Sequence, residues 1–274
     1  MSPDSKPDTK PRLPISRFRP VLGALDKNGE PLFIVGGHAV NAWALYFLSR
    51  RPELTEYVPF TSKDLDCIGD LDDVWRLHQA TGWEYLPGKP DPKEFVAGAI
   101  RHQAEGEPAL LVEVLKRANG AGLQELLDRA IEIEFVEETD RHCVRVPDPV
   151  LMLKLKMTNS IGLAQNTPGR ERQDFKHVRM MTICCSAYLE EVAEMEDLPV
   201  RDRLHALNGS LTDLIDLHEK HYHTHRFRLE HGWEVKDCVP ANVLTMAQGN
   251  DPIYRELRRN LMRLGFAQSG PGAD

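Results

Sequence analysis

Ser62-Lys63-Asp64-Leu65-Asp66-Cys67-Ile68 is the stretch on which the fold turns. Apolar residues alternate with carboxylates here, which predicts a short strand over Leu65 to Ile68 with one buried face. On a strand, residues i and i+2 share a face. Asp64 and Asp66 therefore project side by side while Leu65 turns to the core. Two neighbouring carboxylates repel unless a cation lies between them, and an oxygen-only set suits Mg²⁺, which takes one or two carboxylates plus substrate phosphates. The same D-x-D also fits a pair of solvated aspartates at a strand end, and spacing alone leaves both readings open.

Upstream, Pro31-Leu-Phe-Ile-Val35 is an apolar run that ends in Gly36-Gly37, and Val40, Trp43, Ala44, Phe47 and Leu48 then fall at helical spacing. This predicts a strand, a glycine turn and a helix. Such a turn lets backbone N–H groups and the positive helix end approach a phosphate. Downstream, Ala109 to Leu115 (ALLVEVL) predicts another strand with Glu113 near its centre, where a carboxylate without a partner would be costly.

The chain has 274 residues, with Lys plus Arg 34 against Asp plus Glu 42, a net charge of −8. That balance argues against a sequence-independent nucleic-acid binder and leaves a local basic groove open. Five cysteines without C-x-x-C spacing exclude the usual structural-zinc and secreted-disulfide patterns, so reduced thiols in the cytoplasm are expected. Neither a signal peptide nor a membrane span is read from the sequence, the most apolar stretch being Leu32 to Leu48.

Working outward, Arg17 to Leu25 reads as a short helix and Trp75 to Thr81 as another. Gly82 to Pro92 reads as a connection and Gly122 to Ala130 as a helix. Ile131 to Val136 and His142 to Val146 form a predicted hairpin. Asp148-Pro149 sets an N-cap and a proline at N1 for a helix through Met157. Beyond it the pattern is helical over Asp174 to Met195, Val200 to about Arg226 and Pro252 to Leu264. The expected fold class is α+β, with a mixed sheet and flanking helices over residues 16–148 and a mostly helical C-terminal domain over 149–266. Residues 1–15 and 267–274 are expected to be disordered tails.

A strand running into Gly36-Gly37 and a helix, then Asp64 and Asp66 on a strand, then Glu113 on another strand, resembles the polymerase β-like nucleotidyltransferase superfamily over Leu32 to Asp148. LKRANGAGLQELLDRA, the hairpin, VPDPVLMLKLKMTNS and RQDFKHV extend the likeness to Val178. These stretches resemble the abortive-infection nucleotidyltransferase branch, which includes toxins of type IV toxin–antitoxin systems. The branch shares a lysine followed four residues later by Ser or Thr, matched by Lys154 and Thr158, and a later K-D-x-x-D element, whose first Asp is matched by Asp174.

The resemblance implies a nucleotidyltransferase-type sheet in which Asp64, Asp66 and Glu113 bind Mg²⁺ or Mn²⁺. It implies that Gly36, Gly37 and His38 form the phosphate turn, and that Lys154, Thr158 and Asp174 act from the helical part. It implies transfer of an NMP from an NTP to a hydroxyl on RNA, protein or a small molecule, with a small antitoxin as partner and no membrane. A catalytically weakened binding module of the same fold is the alternative. The sequence departs from the branch at His38 in place of Ser, Glu113 in place of Asp, Gln173 in place of Lys and His177 in place of the second Asp.

Other clusters read more plainly. Glu132 and Glu134 alternate with apolar residues and fit a solvated strand face, and Cys184-Cys185 fits a helix core. His218, His221, His223 and His225 fit a polar helix surface, since Glu219-Lys220 breaks the H-E-x-x-H zinc pattern.

Overall fold

The computed structural model describes residues 11–26, 28–89, 94–137, 139–164 and 172–267. Leu13–Pro14 (β1) opens it, then a 3-10 turn at Ile15–Phe18 and a short helix, Arg19–Leu22 (α1). Ile34–Val35 (β2) runs straight into Gly36–Phe47 (α2), and Thr61–Ser62 (β3) precedes Leu65–Ile68 (β4). Next come Leu71–Thr81 (α3), Glu84–Pro87 (β5), Val96–His102 (β6), Leu110–Leu115 (β7) and Leu123–Asp128 (α4). Ala130–Glu137 (β8) and Asp140–Pro147 (β9) make a hairpin. After Pro147 the described elements are all helical: Pro149–Gly162 (α5), Asp174–Glu194 (α6), Val200–Glu219 (α7), Tyr222–His231 (α8), Ala241–Met246 (α9) and Arg255–Arg263 (α10), with 3-10 turns between.

The fold is mixed α+β. Its main sheet has five strands in the order β2-β4-β7-β6-β5, with β4 and β7 parallel and the other neighbours antiparallel. Parallel pairing of β4 and β7 needs a long crossover, supplied by α3, β5 and β6. One continuous set of buried apolar side chains runs from Ile15 to Leu264. Helix α6 packs against both α2 and α5, so the sheet half and the helical half share this core. Trp43 sits at the join, stacked on Phe47 at 5.5 Å and donating from Nε1 to Pro147 O at 2.9 Å.

Several expectations need correction. Leu13 and Pro14, assigned to the tail, pair with Ser62 and Thr61; residues 1–10, like 268–274, lie outside the described residues. The connection after Gly82 contains β5, and β6 has no counterpart among the expected strands. Ala97, Gly98 and Ala99 have little strand propensity; Gly98 is small because α3 lies over it, and a Cβ there would come within 3.1 Å of Val74 Cγ2. The helix expected from Val200 to Arg226 breaks at Lys220-His221. His221 there becomes the N-cap of α8, accepting from Thr224 N at 3.3 Å, so the four histidines do not share one helix face.

Asp148 anchors the passage from hairpin to helix. Its Oδ1 accepts from Val150 N and Leu151 N at 3.0 and 3.1 Å, capping α5. Arg129 grips the same carboxylate from the other side, at 2.5 Å from Nε to Oδ2 and 2.8 Å from Nη2 to Oδ1, while reaching Asp213 on α7 at 2.9 Å. The pair is largely buried. Replacing Asp148 by Ala removes a cap and a bidentate ion pair, and a loss of about 3 kcal/mol is expected. Asp148→Asn keeps the cap and should lose less. Urea melts of the two variants beside wild type check the order.

Candidate functional site

Asp66 is the centre of the site. In the sheet register it lies between Val35 on β2 and Glu113 on β7. Gly36, next to Val35, has φ +70°, and a Cβ there would overlap the Asp66 carboxylate, with Cγ only 2.9 Å away. Only glycine meets both demands, the left-handed backbone and the close approach. A Cβ on Gly37 would likewise overlap the Ser62 hydroxyl and come within 3.4 Å of His177 Cε1. The glycine pair thus sets the start of α2 directly against Asp66 and Ser62.

These residues line a cleft of about 690 Å³ between the sheet and helices α5 and α6. Asp64, Asp66, Glu113 and Asp174 supply its carboxylates, and Arg12, Lys63, Arg117, Lys156 and Arg172 its cations. Helix α5 contributes Met152, Leu155, Lys156 and Asn159, at the spacing of one helix face, and Leu163 follows just past its end. Lys156 and Asp174 are almost wholly buried, and Lys156 Nζ lies 3.6 Å from Asp174 Oδ1. Arg172 Nε holds the other Asp174 oxygen at 2.6 Å. Arg117 lies over the Phe95 ring at 4.2 Å.

Burial pushes the Asp66 carboxyl well above the usual carboxylate range, and the nearby charges of Asp64 and Glu113 push it further. Lys156 and Arg172 pull in the opposite direction. Burial also holds His177 well below its ordinary value, helped by Lys156 and Lys176, so its imidazole is neutral at pH 7.

The structure therefore brings Gly36, Gly37, Asp64, Asp66, Glu113 and Asp174 to one cleft. It does not bring Lys154, Thr158 or His38 there. Lys154 Nζ is paired with Glu125 Oε1 at 2.7 Å. Thr158 turns its hydroxyl back to Lys154 O at 2.9 Å and lies 3.3 Å from His221 Nε2. Lys156 takes the place expected of Lys154, because two residues along a helix are about 200° around its axis. Ser160 repeats from Lys156 the spacing of Thr158 from Lys154, yet it does not line the cleft and donates to Met157 O at 2.9 Å, so only Lys156 of that turn reaches the site. His38 is fully buried, edge-on to Phe18 at 5.1 Å, and burial pushes it down to about 3. Glu132 and Glu134 stay on the exposed hairpin face, and Cys184 and Cys185 are buried in α6.

An oxygen-rich set of three carboxylates that repel one another fits a hard divalent cation. Among the described residues no three His, Cys, Asp or Glu side chains form a ready-made metal cage. Mg²⁺ needs none, since substrate phosphates complete its shell. No described helix is long and apolar enough to cross a membrane. Compared with protein families, curated proteins and solved structures, the chain matches none.

The raised Asp66 carboxyl makes a prediction about stability. In the metal-free protein the folded state keeps its Asp66 proton above the unfolded value of about 3.9. Its contribution is therefore full below that pH and is lost as pH rises through the folded value. Asp66→Asn should melt above metal-free wild type at neutral pH, and the gap should shrink on acidification. A constant gap from pH 4 to pH 8 would show that Asp66 carries no such burden.

Proposed function

We propose that the cleft is the active site of a metal-dependent nucleotidyltransferase, moving an NMP from an NTP to a hydroxyl acceptor. One observation carries the reading: the three carboxylates Asp64, Asp66 and Glu113, beside the Gly36 turn, share a single cleft with five cations. A site for a cation alone has no use for Lys63, Arg117, Lys156, Arg172 and Arg12. A site for an anion alone has no use for Asp64, Asp66 and Glu113. A magnesium-bound polyphosphate uses both sets.

Asp64, Asp66 and Glu113 would hold Mg²⁺ or Mn²⁺. When bound, the metal supplies charge stabilisation for the attacking and leaving oxygens of an in-line displacement at the α-phosphorus, with pyrophosphate leaving. Glu113 also stands ready to accept the proton of the acceptor hydroxyl. Gly36 and Gly37 offer backbone N–H groups at the start of α2 to phosphate oxygens. The Ser62 hydroxyl beside Gly37 offers a side-chain donor. Lys156 and Arg172 neutralise phosphate charge, and Asp174 holds both of them in position. The resemblance to abortive-infection nucleotidyltransferases supports the same reading and adds a toxin role with a small antitoxin partner.

A second reading, a nucleotide-binding module of this fold without turnover, is favoured by His38, which is buried against Phe18 and offers the phosphates no side-chain donor.

Turnover separates the two. With each α-³²P-labelled NTP and Mg²⁺ or Mn²⁺, wild type should transfer label to cellular RNA, protein or a small-molecule acceptor. Asp64→Asn and Glu113→Gln should lose at least about a hundred-fold in rate, the usual scale for a positioned acid–base or metal-holding group. Lys156→Met should lower transfer or raise KM, while Lys154→Met and Thr158→Ala stay near wild type. No label on any acceptor, with nucleotide still bound, would establish the binding module. A loss in Lys154→Met but not in Lys156→Met would overturn the assignment of the helical residues.

A further inference from the structure

Arg12 enters the cleft from a segment outside both the sheet and the helices that build the rest of it. Leu13 and Pro14 pair with Ser62 and Thr61, so the backbone beside Arg12 is laid along β3, next to the Gly37 turn. The Gln173 amide, oriented to satisfy its neighbours, accepts from Arg12 Nε and Nη1 at 3.1 Å each and donates to Thr61 O at 3.2 Å. One glutamine at the N-cap of α6 thus ties the amino-terminal strap and its partner strand β3 to the start of α6.

The placement gathers like charges. Arg12, Lys156 and Arg172 line the same space, from the strap, from α5 and from the residues before α6. The Arg12 charge reaches Lys176 and His177 as well, adding to the burial that holds both below their ordinary values. Cations converging on one space repel, and an anion among them turns that repulsion into attraction. The ladder itself is only two residues long, and Ile15 just beyond it is fully buried, so an anion held by Arg12 adds to a strap that is already anchored at its far end.

We propose that Arg12 is a phosphate-binding residue and that the Leu13–Pro14 strap closes on the cleft when a polyphosphate is bound. The proposal rests on the nucleotide reading of the cleft. An arginine fork matches phosphate oxygens in pairs. Each such bond adds to the two-residue ladder, so occupation of the cleft and seating of the strap are linked, and each strengthens the other.

Trypsin reports on the strap. Lys6 and Lys10 each precede proline, so the Arg12–Leu13 bond is the first in the chain that the protease cuts readily. Full-length protein with Mg²⁺ is digested with and without inorganic tripolyphosphate, and intact mass follows cleavage at Arg12–Leu13. Calorimetric titration of the same anion compares wild type, Arg12→Lys and Arg12→Gln. Bound tripolyphosphate should slow cleavage at Arg12–Leu13 about ten-fold, and Arg12→Gln should weaken binding by about ten-fold. Arg12→Lys should fall between, since it keeps the charge and loses the fork. Unchanged cleavage in the bound state, or unchanged affinity in Arg12→Gln, overturns the role of the strap and leaves the cleft reading standing. Failure of wild type to bind tripolyphosphate at all overturns both.

Discussion

A carboxylate half-buried in a sheet, at the wall of a cleft, must be answered by its surroundings, and much of this molecule is arranged around the answer to Asp66. The sheet register sets it between Val35 and Glu113, and Gly36 closes over it so tightly that no Cβ fits. Asp64 and Glu113 add repulsion rather than relief. Burying an ionised carboxylate without a partner costs several kcal/mol or more, by the general scale for desolvated charge. A core site that only needed stability would carry an apolar residue here. Three acids where one is already costly accord with the cation site proposed for the cleft.

Compensation comes from the helical half. Lys156 on α5 and Arg172 before α6 both lower the Asp66 carboxyl, and Asp174 binds the two of them. A fully buried lysine would itself be costly without Asp174, so the cation and its counter-ion come as a pair. That pair has to reach the sheet from two different helices. Packing α6 against both α2 and α5 makes this possible, because α2 begins at the glycine turn that closes over Asp66. The continuous core from Ile15 to Leu264 is therefore part of the electrostatics of the cleft: it fixes the distance between the acids and the bases.

How far the sequence discloses this depends on whether a feature is local. The Leu65–Ile68 strand is legible because Asp64-Leu65-Asp66-Cys67 alternates, and the start of α5 because Asp148-Pro149 is a local cap signal. Gly36-Gly37 is legible as a close approach, though its partner Asp66 lies thirty residues on. Strand β6 is illegible because it is built on Ala97, Gly98 and Ala99, and the smallness of Gly98 answers α3, a tertiary demand with no periodic trace. Choosing between Lys154 and Lys156 needs the orientation of α5, and both lysines satisfy the helix pattern equally well. Arg12 belongs to a stretch whose Pro and Lys content reads as a tail, and only the pairing of Leu13 with Ser62 brings it to the site. The His38 position looks like part of the phosphate turn in sequence, and the first turn of α2 rotates it away into the core.

Net charge is the last apparent conflict. A chain at −8 looks ill suited to hold a polyphosphate, yet net charge describes the long-range field and not the few ångströms around a ligand. Salt screens charges beyond about 8 Å at physiological ionic strength. Acidic residues spread over the outer surface therefore act weakly on the cleft, while Lys156 and Arg172, drawn in among the carboxylates, act strongly. Acids on the strands and bases on the strap and helices give the cleft two poles, one suited to a divalent cation and the other to phosphate oxygens. A magnesium-bound polyphosphate has the same two poles. The acidic exterior, for its part, lowers the attraction of long nucleic acids to the rest of the surface, which accords with the proposal that a polyphosphate is held inside the cleft.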